Sequence, residues 1–351
     1  MKILFIITTV IIILMFGSWL LGWIFSVPAY KGPVSDHYNG KKFINPGGVE
    51  PGGFKDLMKW ARNRDRGEWQ EIKDIEYGPA PAERIEGDSI VVTFVNHSTF
   101  LIQTEGMNIL TDPVWSERAS PVSFAGPKRM RPPGIRFEDL PKIDIILLTH
   151  NHYDHLDIRT MKRLAKLYKP EIYTPLGVGK YLERKGIGNI TEMDWWDESE
   201  LANGLKVLCT PAQHFSGRAM FDRDKTLWSG FALMTEKGSI YYSGDTGYGE
   251  FFEDIARRIS PLRLAFLPIG AYKPSWFMSS IHTSPADAVK IHQILKSPRS
   301  IGMHFGTFPL ADDGMNDPAK DLKIALEKEG IEKEEFIVPE EGVRLIFSSI
   351  E

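Results

Sequence analysis

The sequence has almost no cysteine and no excess of positive charge. Cys209 is the single cysteine among 351 residues, which excludes an intramolecular disulfide and any site built from several thiolates. A metal in this chain must therefore be held by histidine and carboxylate side chains. The 42 Lys and Arg residues are balanced by 46 Asp and Glu residues, so the formal charge is −4. The chain lacks the basic footprint of nucleic-acid-binding proteins, and we expect no nucleic-acid partner.

The one long apolar run lies at the N-terminus. Residues Ile3 to Phe25 carry no charge, and at about 1.5 Å per residue a helix of this length crosses a hydrocarbon core about 30 Å thick. A cleaved signal peptide is the alternative, but its apolar region is usually only about 7–15 residues long, and Ser26-Val27-Pro28-Ala29 is a poor cleavage site. We therefore predict that residues 1–27 form a single-pass membrane anchor, with the side of the membrane left open.

Two segments of different character follow the predicted anchor. Residues 28–88 are rich in Pro and Gly, with one helix expected near Phe54 to Asn63, and we predict a connector that packs on the next domain through Trp60 and Trp69. In residues 89–351, short apolar runs come first as hairpins and then alternate with helical stretches, which predicts one α/β domain whose sheets are covered by helices. The predicted strands are Ser89–Phe94, Phe100–Thr104, Met107–Leu110, Ile143–Thr149, Leu205–Cys209, Phe231–Thr235, Ile240–Ser243, Leu264–Leu267 and Ser300–Met303, and the predicted helices are Ile158–Leu167, Phe251–Ile259 and Pro285–Leu295.

Three imidazoles and a carboxylate lie directly after one predicted strand. The strand Ile143–Thr149 runs into His150, His152, Asp154 and His155. In layered α/β folds, ligands bind at this end of the strands. Zinc and other first-row divalent ions take these side chains, and catalytic sites keep one position open for water. A solvated histidine-rich turn is the alternative interpretation, and we favour a metal site.

Three further candidate ligands, His214, Asp245 and His304, also follow predicted strands. Each alone is weak evidence, because a single histidine after a strand or an aspartate in a Gly-Asp-Thr-Gly turn is more often structural. With the first four side chains they make seven ligands, which suffices for two adjacent ions that share one carboxylate. The sequence thus predicts two Zn2+ as cofactor, with other first-row divalent metals as alternatives.

The segment from His150 to Asp157, with His214, Asp245 and His304 downstream, resembles the HxHxDH signature and the remaining ligands of the metallo-β-lactamase-fold hydrolases. The spacing matches as well, with 59 residues from His155 to His214, 31 more to Asp245 and 59 more to His304. Within that superfamily, five segments resemble the phospholipase D family that hydrolyses N-acyl-phosphatidylethanolamine. They are Thr111-Asp112-Pro113, Ala119-Ser120-Pro121, Gly126-Pro127-Lys128-Arg129, Gln213-His214-Phe215-Ser216-Gly217-Arg218 and His304-Phe305-Gly306-Thr307-Phe308.

The resemblance implies an αββα four-layer sandwich with a two-zinc site at one edge. The implied ligands are His150, His152 and His214 for one zinc, Asp154, His155 and His304 for the other, and Asp245 as the bridge. The implied catalytic residues are Asp154, which would orient the attacking hydroxide, and His282, which would contact a substrate phosphate oxygen or assist the leaving group.

The expected function is a zinc-dependent phosphodiesterase that cleaves N-acyl-phosphatidylethanolamine into phosphatidic acid and N-acylethanolamine, by attack of metal hydroxide on phosphorus. Phospholipid is then the substrate and the membrane the partner, while the oligomeric state stays open. Two alternatives also stay open, a metal-dependent lactone or ester hydrolase of the same superfamily and a membrane-tethered metal-binding protein without turnover.

The basic run Lys128 to Arg131, with Arg136, fits either contacts with anionic lipid headgroups or a solvated loop.

Overall fold

Two seven-stranded sheets lie face to face around a shared apolar core. The rings of Phe100 and Phe266, one from each sheet, lie 4.7 Å apart in that core. The computed structural model describes residues 2–201, 204–219 and 221–348. Met1 and residues 349–351, at the ends of the predicted anchor and of the predicted catalytic domain, lie outside the described residues.

The strands are short and the helices lie between them in the chain. The strands are β1 (Ile90–Asn96), β2 (Thr99–Thr104), β3 (Met107–Thr111), β4 (Ile145–Leu147), β5 (Glu171–Pro175), β6 (Ile190–Met193), β7 (Glu198–Glu200), β8 (Lys206–Thr210), β9 (Gly230–Thr235), β10 (Gly238–Tyr242), β11 (Leu262–Pro268), β12 (Ser300–Met303), β13 (Phe336–Ile337) and β14 (Arg344–Phe347). The helices are α1 (Lys2–Phe25), α2 (Phe54–Arg62), α3 (Ile158–Leu167), α4 (Gly179–Arg184), α5 (Phe251–Ile259), α6 (Ser275–Met278), α7 (Pro285–Leu295) and α8 (Asp317–Glu329).

Both sheets combine antiparallel and parallel strands. The first has the order β14-β1-β2-β3-β4-β5-β6 and the second the order β13-β12-β11-β10-β9-β8-β7. In the first sheet β1, β2 and β3 form antiparallel hairpins, and β3 to β6 are parallel. In the second, β7 to β10 are antiparallel and β10 to β13 are parallel. The parallel strands need crossover connections, which the helices supply.

Helices cover the outer faces of both sheets. Met161 and Leu164 of α3 and Leu182 of α4 pack in one cluster with the outward-facing residues of the first sheet. Residues of α5, α7 and α8 pack with the second sheet. The architecture is thus the expected αββα sandwich.

Helices α3, α5 and α7 begin and end where the sequence predicts them. The Asp157 carboxylate accepts a hydrogen bond from the backbone N–H of Arg159 at the start of α3. At α7, Ser284 and Asp287 form a capping box and Pro285 occupies the first turn. The predicted strand Ile143–Thr149 is shorter in the structure, because β4 spans Ile145–Leu147.

The segment that precedes the sandwich contacts it at several points. Helix α1 contains the apolar stretch Phe5–Phe25, 21 residues with a mean hydropathy of 2.3, whose length and composition suit a membrane span or a signal sequence. Further along, Trp60 Nε1 donates to the carboxylate of Asp312, and Trp69 Nε1 donates to the carbonyl oxygen of Asp313, both at 2.9 Å. Both tryptophans thus contact the sandwich, while the division into anchor, connector and catalytic domain stays a prediction.

Candidate metal centre

Loops from both sheets meet at one edge of the sandwich. Parallel strands bring their carboxyl ends to the same edge, and β3 with β4, and β10 with β11 and β12, are parallel. The segment of residues 150–157, called the motif loop below, follows β4, while His214 follows β8, Asp245 follows β10 and His304 follows β12. The sheet topology therefore brings together candidate ligands that lie far apart in the sequence.

Three imidazoles, His150, His152 and His214, form a first group. Nε2 of His150 lies 2.8 Å from Nδ1 of His152, and Nε2 of His214 lies 3.2 Å from the same atom. On the far side of the ring, Nδ1 of His214 lies 2.9 Å from the carbonyl oxygen of Ile281. Because a carbonyl only accepts, His214 carries its proton on Nδ1 and directs the Nε2 lone pair into the group. This is the form in which histidine binds a metal.

A second group consists of Asp154, His155 and His304. Oδ2 of Asp154 lies 3.4 Å from Nε2 of His155 and 3.3 Å from Nε2 of His304. Oδ2 of Asp245 lies 3.1 Å from Nε2 of His155 and 2.9 Å from Nε2 of His304. It also lies 3.7 Å from Nε2 of His214, which belongs to the first group. One oxygen of Asp245 thus faces both groups, as a bridging ligand must.

Several buried polar atoms at this edge make no hydrogen bond, which tests whether the residues fit a metal. Among the described residues these include Nε2 of His155, Nδ1 of His282 and Oδ1 of Asp245. Buried polar groups are ordinarily paired. In each of four overlapping clusters, the candidate ligand atoms lie within 4.8 Å of one another. A buried set of imidazole and carboxylate donors with unpaired atoms fits first-row divalent ions.

The electrostatics differ between the two groups. Burial holds the pKa of His150 and of His214 well below the usual value, and it lowers the pKa of His152 to about 4. These three imidazoles are therefore neutral at neutral pH, as candidate metal ligands must be.

In the second group the carboxylates outweigh burial. Burial alone would lower the pKa of His155, but Asp245 and Asp154 raise it well above the usual value. Asp245 and the hydrogen bond with Asp154 likewise raise the pKa of His304 to about 9, against the effect of burial. Each of these two rings would have to lose its Nε2 proton to bind a metal through that nitrogen.

Asp112, which follows β3, fixes the orientation of candidate ligands in both groups. Its Oδ2 accepts hydrogen bonds from Nδ1 of His155 and from the Thr149 hydroxyl, both at 2.7 Å. Because the Thr149 hydroxyl donates to Asp112, the contact of Oγ1 with Nδ1 of His150, at 3.0 Å, requires His150 to donate. His150 therefore directs its Nε2 lone pair into the site, and the bond from Nδ1 of His155 to Asp112 leaves Nε2 of His155 facing the site. From the sequence, Asp112 was recognised only as part of the segment Thr111-Asp112-Pro113, and its contacts with His155 and Thr149 were not predicted.

His282 lies beside both groups rather than inside one. Its Nδ1 is 4.0 Å from Oδ2 of Asp245, and its ring centre is 5.0 Å from the ring centres of both His214 and His304. The peptide N–H of His282 donates to the carbonyl oxygen of Met278, so the turn after α6 fixes its position. The predicted role of His282 toward substrate stays a prediction.

The connector also supplies a residue that sequence analysis missed. The side-chain oxygen of Asn45 accepts from the backbone N–H of His214, and its amide donates to the carbonyl of His214, both at 2.8 Å. Trp228 Nε1 donates to the same Asn45 oxygen at 3.0 Å. Asn45 therefore fixes the backbone at one of the candidate ligands.

The basic run 128–131 is occupied by contacts within the fold. Lys128 pairs with Glu71 at 2.8 Å, and Arg131 pairs with Glu341 at 2.6 Å. Arg129 is buried and donates to the carbonyl oxygen of Val114. Arg129 and Arg131 thus hold loops together, whereas the Arg136 side chain is 59% exposed, and contact of the run with anionic lipid headgroups stays a prediction.

Comparison with known proteins identifies the superfamily. A family model described as a β-lactamase superfamily domain matches residues 107–305, which is more than half of the chain. The chain belongs to the metallo-β-lactamase superfamily. It is 38% identical over 303 residues to N-acyl-phosphatidylethanolamine-hydrolyzing phospholipase D 1 of Caenorhabditis elegans, a match that covers 82% of this chain and 84% of that protein. It is 33% identical over 280 residues to the mitochondrial N-acyl-phosphatidylethanolamine-hydrolyzing phospholipase D of Saccharomyces cerevisiae, a match that covers 77% of this chain and 59% of that protein.

Solved structures share the same metallo-β-lactamase fold. Isothiocyanate hydrolase from Delia radicum gut bacteria superposes with a TM-score of 0.58 at 21% identity, covering 74% of this chain and 100% of that one. A possible metal-dependent hydrolase from Veillonella parvula gives a TM-score of 0.59 at 18% identity, covering 73% and 98%. With its His and Asp cluster at the edge of the sandwich, the chain is a metal-dependent hydrolase of this superfamily.

Proposed function

We propose that this chain is a two-zinc phosphodiesterase that hydrolyses N-acyl-phosphatidylethanolamine to phosphatidic acid and N-acylethanolamine. The observation that carries the proposal is the single oxygen of Asp245, which faces both ligand groups at 2.9–3.7 Å. This arrangement suits two ions that share a carboxylate, and such pairs assist in-line displacement at phosphorus. The relative from Caenorhabditis elegans, named for this reaction, supports the choice of substrate.

The residues divide into two ligand sets with one bridge. The proposed ligands are His150, His152 and His214 for one ion, Asp154, His155 and His304 for the other, and Asp245 for both. Zinc is the proposed metal because the donors are imidazoles and carboxylates. Two such ions supply a water-derived nucleophile at neutral pH and offset negative charge on the phosphoryl oxygens.

Asp154 and His282 have the proposed catalytic roles. Oδ2 of Asp154 is within 3.4 Å of three imidazole nitrogens, so the carboxylate has a fixed direction and can orient the attacking water. Burial lowers the pKa of His282 to about 3, which keeps its ring neutral at physiological pH. A neutral ring serves as a hydrogen-bond donor to a phosphoryl or leaving oxygen, rather than as a strong acid.

The proposal includes membrane attachment. Residues 1–27 serve as a membrane anchor, residues 28–88 as a connector and residues 89–351 as the catalytic domain. A cavity of about 250 Å3 lies beside the motif loop and is lined by Phe25, at the end of the apolar stretch, and by Tyr153 and Leu156. The cationic side chains that line it are Arg118, Arg159, Lys185 and Arg218. Two acidic residues, Glu117 and Asp157, line it as well. The apolar residues and the excess of cationic over acidic side chains support a phospholipid substrate delivered from the bilayer.

A substrate panel tests the proposal. Purified full-length protein loaded with zinc should convert N-acyl-phosphatidylethanolamine in mixed micelles to phosphatidic acid and N-acylethanolamine in equal amounts. Other phosphodiesters and an acyl lactone should react more slowly. Rapid hydrolysis of the lactone without turnover of the phospholipid would instead identify an ester hydrolase, and no turnover of any substrate would support a metal-binding protein.

A further inference from the structure

His97, in the turn between β1 and β2, is buried against the second ligand group and the loop that follows β12. The side chain is 1% exposed. Its Nε2 lies 3.0 Å from Oδ2 of Asp154, and its ring centre lies 4.1 Å from that of His304. One ring therefore contacts two candidate ligands of the second group.

The backbone of His97 is tied to the same loop. Its N–H donates to the Thr307 hydroxyl at 2.9 Å, and its carbonyl oxygen accepts from the backbone N–H of His304 at 2.8 Å. The residue has a φ of +48°, in the left-handed region that non-glycine residues seldom adopt. A strained backbone of this kind persists where the surrounding contacts fix it.

Other imidazole ligands have their own orienting partners. His155 donates to Asp112 and His214 donates to the carbonyl oxygen of Ile281. Nδ1 of His304, by contrast, makes no hydrogen bond among the described residues. Asp154 and His304 therefore share one neighbour, His97, that can fix their directions.

The tautomer of His97 follows from its neighbours. A carboxylate only accepts, and Nδ1 of His97 is buried without a hydrogen-bond partner in the part of the chain that the structure describes. If Nε2 were instead a metal ligand, the proton would be on Nδ1, which has no hydrogen-bond acceptor among the described residues. The ring is therefore a donor to Asp154 through Nε2–H.

We propose that His97 is the positioning residue of the second ligand group: its Nε2–H fixes Oδ2 of Asp154 and its ring face backs His304, so that both ligands are held for the metal. The inference rests on the two-metal site of the proposed function. It does not depend on which substrate is hydrolysed.

Three substitutions of His97 separate donor, length and packing. In His97→Gln the side-chain amide nitrogen reaches the place of Nε2 and can donate. In His97→Asn the same amide is one methylene too short, and in His97→Met the length is kept without a donor. His292→Gln is the matched control, because His292 is also buried and bonds Ser300 through Nδ1, at 2.9 Å, but lies outside the ligand groups.

The experiment is a competition of full-length protein with a zinc chelator, read as zinc equivalents per chain, together with the melting temperature of the metal-free forms. Wild type, His97→Gln and His292→Gln should hold two equivalents. His97→Asn and His97→Met should keep the first equivalent and bind the second about 10–100-fold more weakly, with metal-free melting temperatures like that of the Gln variant.

Several results would overturn the role of His97. Equal loss of zinc in the Gln, Asn and Met variants would indicate a direct ligand or a purely structural residue. Two tightly held equivalents in both the Asn and the Met variant would show that the donor is not needed. A wild-type chain that takes up one equivalent would contradict the two-metal site itself, and two equivalents without phospholipid turnover would contradict only the proposed substrate.

Discussion

Replacement of Asp112 by Asn should weaken metal binding although Asp112 is not a candidate ligand. Oδ2 accepts from His155 Nδ1, the Thr149 hydroxyl and the Tyr242 hydroxyl at 2.7–2.8 Å, and Oδ1 accepts from the Thr149 backbone N–H at 2.8 Å. His155, the Thr149 hydroxyl and the Thr149 backbone N–H donate to the carboxylate, whereas the Tyr242 hydroxyl shares its one proton between Oδ2 and the Ser98 carbonyl oxygen, which is also 2.8 Å away. An asparagine amide has only one accepting atom, so at least one donor must face its NH2 group in either orientation.

The size of the effect follows from these contacts. If the amide oxygen faces the three donors at Oδ2, the Thr149 N–H is left unpaired in the interior, which costs about 1–3 kcal/mol of folding free energy. If the amide nitrogen faces them, His155 can pair only by moving its proton to Nε2, where the metal should bind. Loss of an orienting partner typically lowers metal affinity about 10–100-fold, or roughly 1.4–2.7 kcal/mol.

Zinc content under chelator competition and the melting temperature of the metal-free chain measure the two effects separately. Asp144→Asn is the control, because Asp144 accepts from the backbone N–H of Asn108 at 2.9 Å and pairs with Arg84, away from the metal centre. This variant should lose stability and keep its zinc. Zinc affinity of Asp112→Asn equal to that of Asp144→Asn would refute the orienting role of Asp112.

Three further predictions address the bridge, the N-terminus and the connector. Asp245→Asn should lower zinc content and turnover together, because the negative charge shared by the two proposed ions is lost. Elemental analysis and turnover rates measured on the same samples check this prediction. Wild-type protein that is metal-free and fully active would contradict it. Removal of residues 1–25 should give soluble protein that still hydrolyses detergent-dispersed substrate. Sedimentation measures the solubility, and product analysis measures the hydrolysis. Insoluble, unfolded material would count against a separate anchor. Burial lowers the pKa of His37, but its hydrogen bonds with Asp194 and Asp36 together have the larger effect, so the net pKa is raised. The charged ring therefore stabilises the fold below about pH 6.5, and this contribution is lost as the pH rises through the raised pKa. Melting curves from pH 6 to pH 9 should therefore fall less steeply for His37→Gln, and identical slopes would show that His37 does not contribute.

Local signals in the sequence predicted some parts of the fold well. The capping box at Ser284 and the carboxylate cap at Asp157 are short-range features, and the bounds of α7 and α3 follow from them. The strands before the candidate ligands were also recognisable, because they are apolar and buried. By contrast, β6 (Ile190–Met193) and β7 (Glu198–Glu200) were missed, since they are short and largely exposed and lack alternating apolar residues.

The supporting residues of the site could not be predicted in this way. Asn45 contacts His214 across 169 positions, and Arg131 pairs with Glu341 across 210 positions. No local pattern reports such contacts, which depend on the packing of the connector and of the chain ends. A single Asp after a strand, such as Asp112, has the same local appearance as a turn residue. The seven candidate ligands were found because they follow strands whose ends the fold brings together.

The central claim is that two ions at this edge hydrolyse a phosphodiester. The most direct measurement is turnover of N-acyl-phosphatidylethanolamine by metal-stripped, full-length protein as zinc is restored in steps, with the reaction run in oxygen-18 water. We expect negligible activity without zinc, full activity only after the second equivalent, and the label in phosphatidic acid but not in N-acylethanolamine. Full activity without zinc, or label in the alcohol product, would contradict it.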